Sequence, residues 1–211
     1  MRTLTEGIYQ LAGRPPNAIN VYLVGDVLVD AGTPGARRRI VRQLAGREVR
    51  THLVTHAHPD HFGSSHAVCE ALGLPLWTGD VDAEALETAT PVPAAGRVPA
   101  LMAKMKMPPA HPVARRLREG DEVGPGFVVL DVPGHSPGHI ALWRESDRTL
   151  VCGDVFFNVP SLRPPPRMLT FDPTRNRESM RKLAALRPAL ALFGHGPPLR
   201  DPERMLRVAG R

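Results

Sequence analysis

The chain has 211 residues, 42% of them apolar, and a formal net charge of +6 at pH 7. That length and apolar share suit a single domain with a sizeable core; no run of about 18 apolar residues marks a membrane span, and Met1 to Gly7 lack the apolar stretch of a signal peptide. The basic residues are scattered, and the tight runs Arg37-Arg38-Arg39 and Arg115-Arg116 have no aromatics between them, so they read as solvated faces rather than a nucleic-acid track.

In chain order, Ile8 to Leu11 and Val21 to Asp30 read as short strands, because β-branched and aromatic residues alternate there between Gly, Pro and Asn. A helix opens at Thr33-Pro34 and runs to about Ala45, and the strand His52-Leu53-Val54 follows. Gly63-Ser64-Ser65 leads into a helix through Leu72, then come a strand near Leu76 to Thr78 and a helix from about Asp82 to Leu86. Residues 91 to 112 break this β-α alternation with six prolines and three methionines. They read as a lid insertion with a short helix around Val98 to Met107, whose Leu101, Met102 and Met105 form an apolar stripe that packs on the domain or a second subunit, or walls a substrate pocket. From Val113 the pattern turns to a meander of strands: Val113 to Leu117, Phe127 to Val132, Ile140 to Arg144 and Thr149 to Cys152. A proline-rich loop (Val159 to Pro166), a helix from about Thr174 to Leu186, a strand Ala189 to Phe193 and a terminal helix after Asp201 complete the chain.

Metal-binding residue types gather at the carboxyl ends of these strands, where α/β folds usually keep their ligands. The stretch Thr55-His56-Ala57-His58-Pro59-Asp60-His61 is the densest. His56 and His58 can converge on one ion if the backbone is extended, while Asp60 and His61, behind the stiff Pro59, are better placed for a second. His135 lies in the tight loop Pro133-Gly134-His135-Ser136-Pro137-Gly138-His139 and would complete a three-histidine site. Asp154 follows a strand and could bridge two ions, and His195, in Gly194-His195-Gly196, would close the second site. His52, His66 and His111 read as packing or surface residues, whereas His139 either orients a ligand or Asp154, or satisfies backbone carbonyls. Cys69 and Cys152 show no CxxC spacing and read as reduced, buried thiols, which suits a cytoplasmic address.

The run HxHxDH, a His in PGHSPGH, an Asp after a strand and a His in GHG, in that order over positions 56 to 195, resembles the metallo-β-lactamase superfamily. Asp30-Ala31-Gly32 is similar to that family's earlier Asp-bearing strand end, with Asp30 an anchor for the His56 loop rather than a ligand. The resemblance implies an αβ/βα four-layer sandwich of two mixed sheets and a site for two divalent ions, usually zinc but iron or manganese in some members. By that analogy His56, His58 and His135 take one ion, Asp60, His61 and His195 the other, and Asp154 bridges them. Two such ions lower the pKa of a bridging water, whose hydroxide attacks, and polarise the substrate carbonyl; Asp60 can orient that hydroxide.

The expected activity is hydrolysis. Asp154 stands where some β-lactamases of the superfamily carry a cysteine, which argues against antibiotic hydrolysis. The PGHSPGHI loop and GHG turn look most like the hydroxyacylglutathione hydrolase (glyoxalase II) branch, but the sixteen residues after His195 leave no room for its helical C-terminal extension. The expectation is therefore a thioester or ester hydrolase of small acyl substrates, possible as a homodimer, acting on neither nucleic acid nor membrane. A lactonase on the same centre and a persulfide dioxygenase using one iron at His56, His58 and His135 are the alternatives.

Overall fold

The computed structural model describes residues 1–92 and 107–210; the expected helix at 98–107 and the stripe of Leu101, Met102 and Met105 fall largely or wholly outside the described residues. Fourteen strands and five α-helices are described. The first seven strands are β1 (Arg2–Thr5), β2 (Ile8–Gln10), β3 (Tyr22–Val24), β4 (Val27–Val29), β5 (Thr51–Val54), β6 (Leu76–Gly79) and β7 (Val113–Leu117), and they form one sheet in that spatial order. Its first four strands pair antiparallel; from β4 to β7 the pairing is parallel, through the helices α1 (Arg37–Leu44), α2 (Ser65–Leu72) and α3 (Ala83–Thr88). The second sheet has the order β14-β11-β10-β9-β8, from β8 (Glu122–Val123), β9 (Phe127–Asp131), β10 (Ile140–Arg144), β11 (Thr149–Val151) and β14 (Leu190–Leu192). A small hairpin pairs β12 (Phe157–Asn158) with β13 (Leu162–Arg163), and α4 (Pro173–Ala185) and α5 (Pro202–Ala209) complete the chain.

Period-two alternation builds the layers. Along β9, Phe127 and Val129 face the space between the sheets, while Val128 and Leu130 face the opposite side; along β10, Ile140 and Leu142 point inward, and Ala141 and Trp143 outward. β4 repeats this in the first sheet, with Val27 and Val29 toward the second sheet and Leu28 toward the helices. Three apolar cores result: Ile40, Leu44 and Val68 of α1 and α2 against the first sheet, the inter-sheet layer, and Met180, Leu183 and Met205 of α4 and α5 against the second. The architecture is the expected αβ/βα sandwich.

Three local readings need correction. Val113–Leu117 pairs in parallel with β6 and so closes the first sheet, instead of opening the meander of the second. Periodicity reports a strand but not its partner. Arg2–Thr5 is an additional edge strand, and the loop from Val159 to Pro166 contains β13.

Of the two arginine runs, Arg115-Arg116 is engaged within the fold. Arg116 pairs with Glu87 at 2.7 Å, and Arg115 pairs with Asp121 at 3.1 Å and lies over the Trp77 ring. Arg37 and Arg38 are exposed at the start of α1, opposite the buried Ile40 and Leu44. Cys69 and Cys152 are free and buried, and burial pushes both thiols up, Cys69 to about 12. No described helix is long and apolar enough to cross a membrane.

Candidate metal centre

The two sheets bring their strand ends to one edge of the sandwich. β5 runs into residues 55–61, β9 into the 133–139 loop, β11 into Asp154 and β14 into His195, each at its carboxyl end. Three overlapping groups of ligand atoms result: His56, His58 and His135; His56, His61 and Asp154; and Asp60, His61 and His195. In the first, His58 Nδ1 lies 3.1 Å from His56 Nε2 and 2.9 Å from His135 Nε2. In the last, His195 Nε2 is 3.2 Å from Asp60 Oδ2. Asp154 Oδ2 stands between them, 3.4 Å from His135 Nε2, 3.9 Å from His56 Nε2, 3.3 Å from His61 Nε2 and 3.2 Å from His195 Nε2. All seven residues singled out from the motifs are thus brought together, joined by the second partners that hold them.

Those outer partners fix the tautomers. Thr55 Oγ1 donates to the Asp30 carboxylate, so it accepts from His56 Nδ1–H at 3.1 Å and leaves the His56 Nε2 lone pair facing the centre. His61 Nδ1 donates to Asp30 Oδ2 at 2.8 Å, and His195 Nδ1 to the Ala18 carbonyl at 2.5 Å. Thr170 Oγ1 donates to Pro166 O, so it can accept from His135 Nδ1, though at a long 3.4 Å. Four Nε2 atoms and a carboxylate therefore converge on one small volume. His61 Nε2 and Asp154 Oδ1 are buried there without any hydrogen-bond partner. Buried polar atoms without a partner cost free energy unless an ion meets them, and imidazole and carboxylate groups are the donor set that fits divalent metal.

Burial and neighbouring charges divide the side chains of the centre. Burial keeps His56 well below the ordinary imidazole range, with His61 and His139 adding to the effect, and burial with His135 takes His58 down to about 3. Burial opposes charge at His61 and His195 as well, but Asp154 outweighs it together with the other nearby carboxylates, raising His61 well above normal and His195 to about 10. Burial would raise the Asp154 carboxyl; His61 and His195 hold it well below the usual range instead. Asp60 is likewise held low, with His61 and His195 overriding its burial, so it stays ionised.

Several supports have no motif of their own. Asp82 Oδ2 accepts from Ala57 N–H at 2.9 Å and from Ser136 Oγ at 2.6 Å, and its Oδ1 accepts from Gly138 N–H at 2.6 Å. One buried carboxylate thereby ties the His56/His58 loop to the His135 loop. Asn20 Nδ2 and Tyr22 Oη both donate to Phe193 O at 2.8 Å, and Asn20 also holds Gly196 O, which braces the His195 turn. His139 accepts the Asp154 backbone N–H at 3.0 Å and stacks on His56, so its contact is with an amide rather than a carbonyl. Asp30, at φ +60°, turns its carboxylate onto the Thr55 N–H and Oγ1 and onto His61, and ligates none of the convergent set. Gly194 is required by close approach, because a Cβ there would collide with Asp154 Oδ1 and His61 Cε1. Gly153, at φ +50°, would drive a Cβ into the His139 ring.

Solvent reaches the centre on the Asp60 and His195 side, where those side chains are 33% and 14% exposed, while His56, His61 and Asp154 are sealed. Phe157 packs 4.4 Å from the His195 ring and gives that side an apolar flank. A separate hollow lined by Tyr9, Asp26, Arg47, Glu48 and Trp77 opens at the amino ends of β4 and β5, away from every one of these ligands.

Such a sandwich, with histidines and aspartates assembled along one edge, defines a metal-dependent hydrolase. The chain belongs to the metallo-beta-lactamase superfamily, whose profile matches residues 14–195. It is similar to a probable metallo-hydrolase of Bacillus subtilis, YflN, at 29% identity over 92% of this chain and 85% of that protein. It is 32% identical to the hydroxyacylglutathione hydrolase of Bdellovibrio bacteriovorus, over 51% of this chain but 34% of that enzyme. Among solved structures it resembles TTHA1623, determined in a di-iron-bound form, with a TM-score of 0.64 and 28% identity, covering 98% of this chain and 96% of that one.

Proposed function

We propose that the protein is a dinuclear metallo-hydrolase that cleaves a thioester or ester of a small acyl substrate. The position of Asp154 carries this reading: one of its oxygens lies within 3.2–3.9 Å of four imidazole nitrogens drawn from both halves of the centre. His56, His58 and His135 would hold one ion, Asp60, His61 and His195 the other, and Asp154 both. When bound, two divalent ions supply an activated water near neutral pH and polarise a carbonyl oxygen. Zinc is the proposed occupant because imidazole and carboxylate donors suit it; iron, as in the di-iron relative, and manganese are the alternatives.

Asp60 is ionised and partly exposed beside His195, so it can accept a hydrogen bond from an entering water and set its orientation, but cannot donate a proton near neutrality. Phe157 offers a surface for an apolar acyl group next to His195. The thioester class draws support from the similarity to a hydroxyacylglutathione hydrolase over half the chain. The buried, protonated thiols accord with a cytoplasmic setting, and the acid-paired Arg115 and Arg116 with a small-molecule substrate.

The test is a panel of acyl thioesters, esters, lactones and a persulfide offered to the metal-replete enzyme, with product and dioxygen followed together. Thioester or ester hydrolysis without oxygen uptake is expected. Preference for a lactone would move the substrate class, and oxygen consumption with the persulfide would overturn the hydrolytic reading.

A further inference from the structure

A second cluster of ligand-type side chains lies outside this centre. His66 and Glu70 stand four residues apart on α2, so they project from one face of the helix. His111 approaches from the segment ahead of β7, where its backbone N–H donates to Leu86 O at 3.1 Å and fixes the residue against α3. The His66 and His111 rings meet edge to face, with Nδ1 3.2 Å from Nδ1. One ligand atom from each of the three residues lies within 4.8 Å of the other two. Two imidazole nitrogens on a tetrahedral zinc, each about 2.0–2.1 Å from the ion, are about 3.4 Å apart. The observed spacing is close to that figure. A simple N–H···N contact between the rings would give the same distance but would leave the convergence of Glu70 without a role. Burial and the neighbouring His66 keep His111 below the ordinary imidazole range, which leaves a lone pair available at neutral pH.

We propose that His66, Glu70 and His111 form a peripheral site for one divalent transition-metal ion of the zinc class, sharing no residue with the centre built around Asp154. Two nitrogens and one carboxylate oxygen are a recognised zinc donor set, completed by solvent at this half-exposed position. The ion clips the segment before β7 to α2, across 45 residues of sequence. α2 begins four residues after His61, and its first residue, Ser65, meets His52 Nε2 at 2.8 Å. A clip at His66 therefore steadies the helix that follows the HxHxDH loop, acting as a structural staple.

The experiment measures zinc per chain by elemental analysis after equilibration with a zinc buffer, using the holoenzyme, His111→Ala, Glu70→Gln and, separately, His195→Ala. Both His111→Ala and Glu70→Gln should carry one zinc fewer than the wild type, with hydrolysis retained and with a smaller rise in melting temperature on adding zinc. His195→Ala should keep that peripheral ion, so failure of the catalytic reading leaves this test intact. Glu70 is exposed, so Glu70→Gln decides the matter even if removing His111 disturbs folding. Equal zinc content in the wild type and in Glu70→Gln would overturn the proposal, whatever His111→Ala does, and leave a hydrogen-bonded imidazole pair only.

Discussion

Asp154 is enclosed by imidazoles, whereas Asp60 faces solvent beside His195, so the loss of charge at these two positions has different consequences. Asp60→Asn should keep the fold yet cost roughly 10²-fold or more in turnover, because it weakens a ligand of the second ion as well as the group that orients water at the open side. Steady-state kinetics together with metal content checks this, and normal turnover at normal metal content would refute it. Asp82 acts at one remove. Asp82→Ala frees Ala57 N–H, Ser136 Oγ and Gly138 N–H together, and should weaken metal affinity about 10–100-fold, as read by chelator competition. A variant with unchanged metal affinity would show that the two histidine loops hold their own positions. The metal-ligand candidates were legible because each stands in a short, dense motif at a strand end. Asp82 was not: it stands at the start of a helix, yet its side chain makes no capping bond and reaches instead to loops 25 and 56 residues away. Asn20 and Tyr22 are equally silent, since their partners lie more than 170 residues along the chain. His66 and His111 read from the sequence as packing or surface residues, because only the fold brings them within 3.2 Å.

At the scale of elements, the loops of the centre are held by the starts of helices as much as by strands. α4 begins at Pro173 with Asp172 as its N-cap, accepting from Thr174 N–H and Arg175 N–H at 2.9 and 3.0 Å. Just ahead of it, Phe171 N–H and Asp172 N–H donate to His135 O and Gly134 O, and Ser179 Oγ donates to Pro133 O. The cap therefore stabilises the helix and the His135 loop together. Asp172→Ala should lower stability by about 1 kcal/mol in urea titrations, with the loss carried by the unfolding midpoint at constant slope. An unchanged midpoint would place the anchoring in the backbone bonds alone. Strand existence was readable from alternation along β2 and β3 and from short apolar runs at β5 and β14. Sheet membership was not, as β7 shows: Val113 to Leu117 reads as a strand, while its parallel pairing with β6 depends on a crossover that sequence periodicity does not encode.

For the whole molecule, the three apolar layers were implied by the alternation, but the buried polar residues threaded through them were less obvious. His52 is fully buried between Leu28 O and Ser65 Oγ, and burial lowers its pKa from 6.5 to about 4. The unfolded chain takes up this proton below about pH 6.5, the folded chain only near pH 4, so stability falls as pH drops through that window and stops responding to His52 below it. The full effect is about 3 kcal/mol. Replacing His52 with Gln should flatten the dependence of unfolding free energy on pH between 6.5 and 4, whatever its effect at pH 8; an identical slope would remove His52 as the cause. Removing metal should act on the whole molecule too, because the ions join loops from both sheets: exhaustive chelation should lower the melting temperature, and zinc should restore it. The central claim is that two ions sit side by side about Asp154. An anomalous difference map from crystals of metal-replete protein tests it most directly: two peaks about 3.5–4 Å apart flanking Asp154 are predicted, whereas a single peak at His56, His58 and His135, with Asp154 uncoordinated, would contradict it.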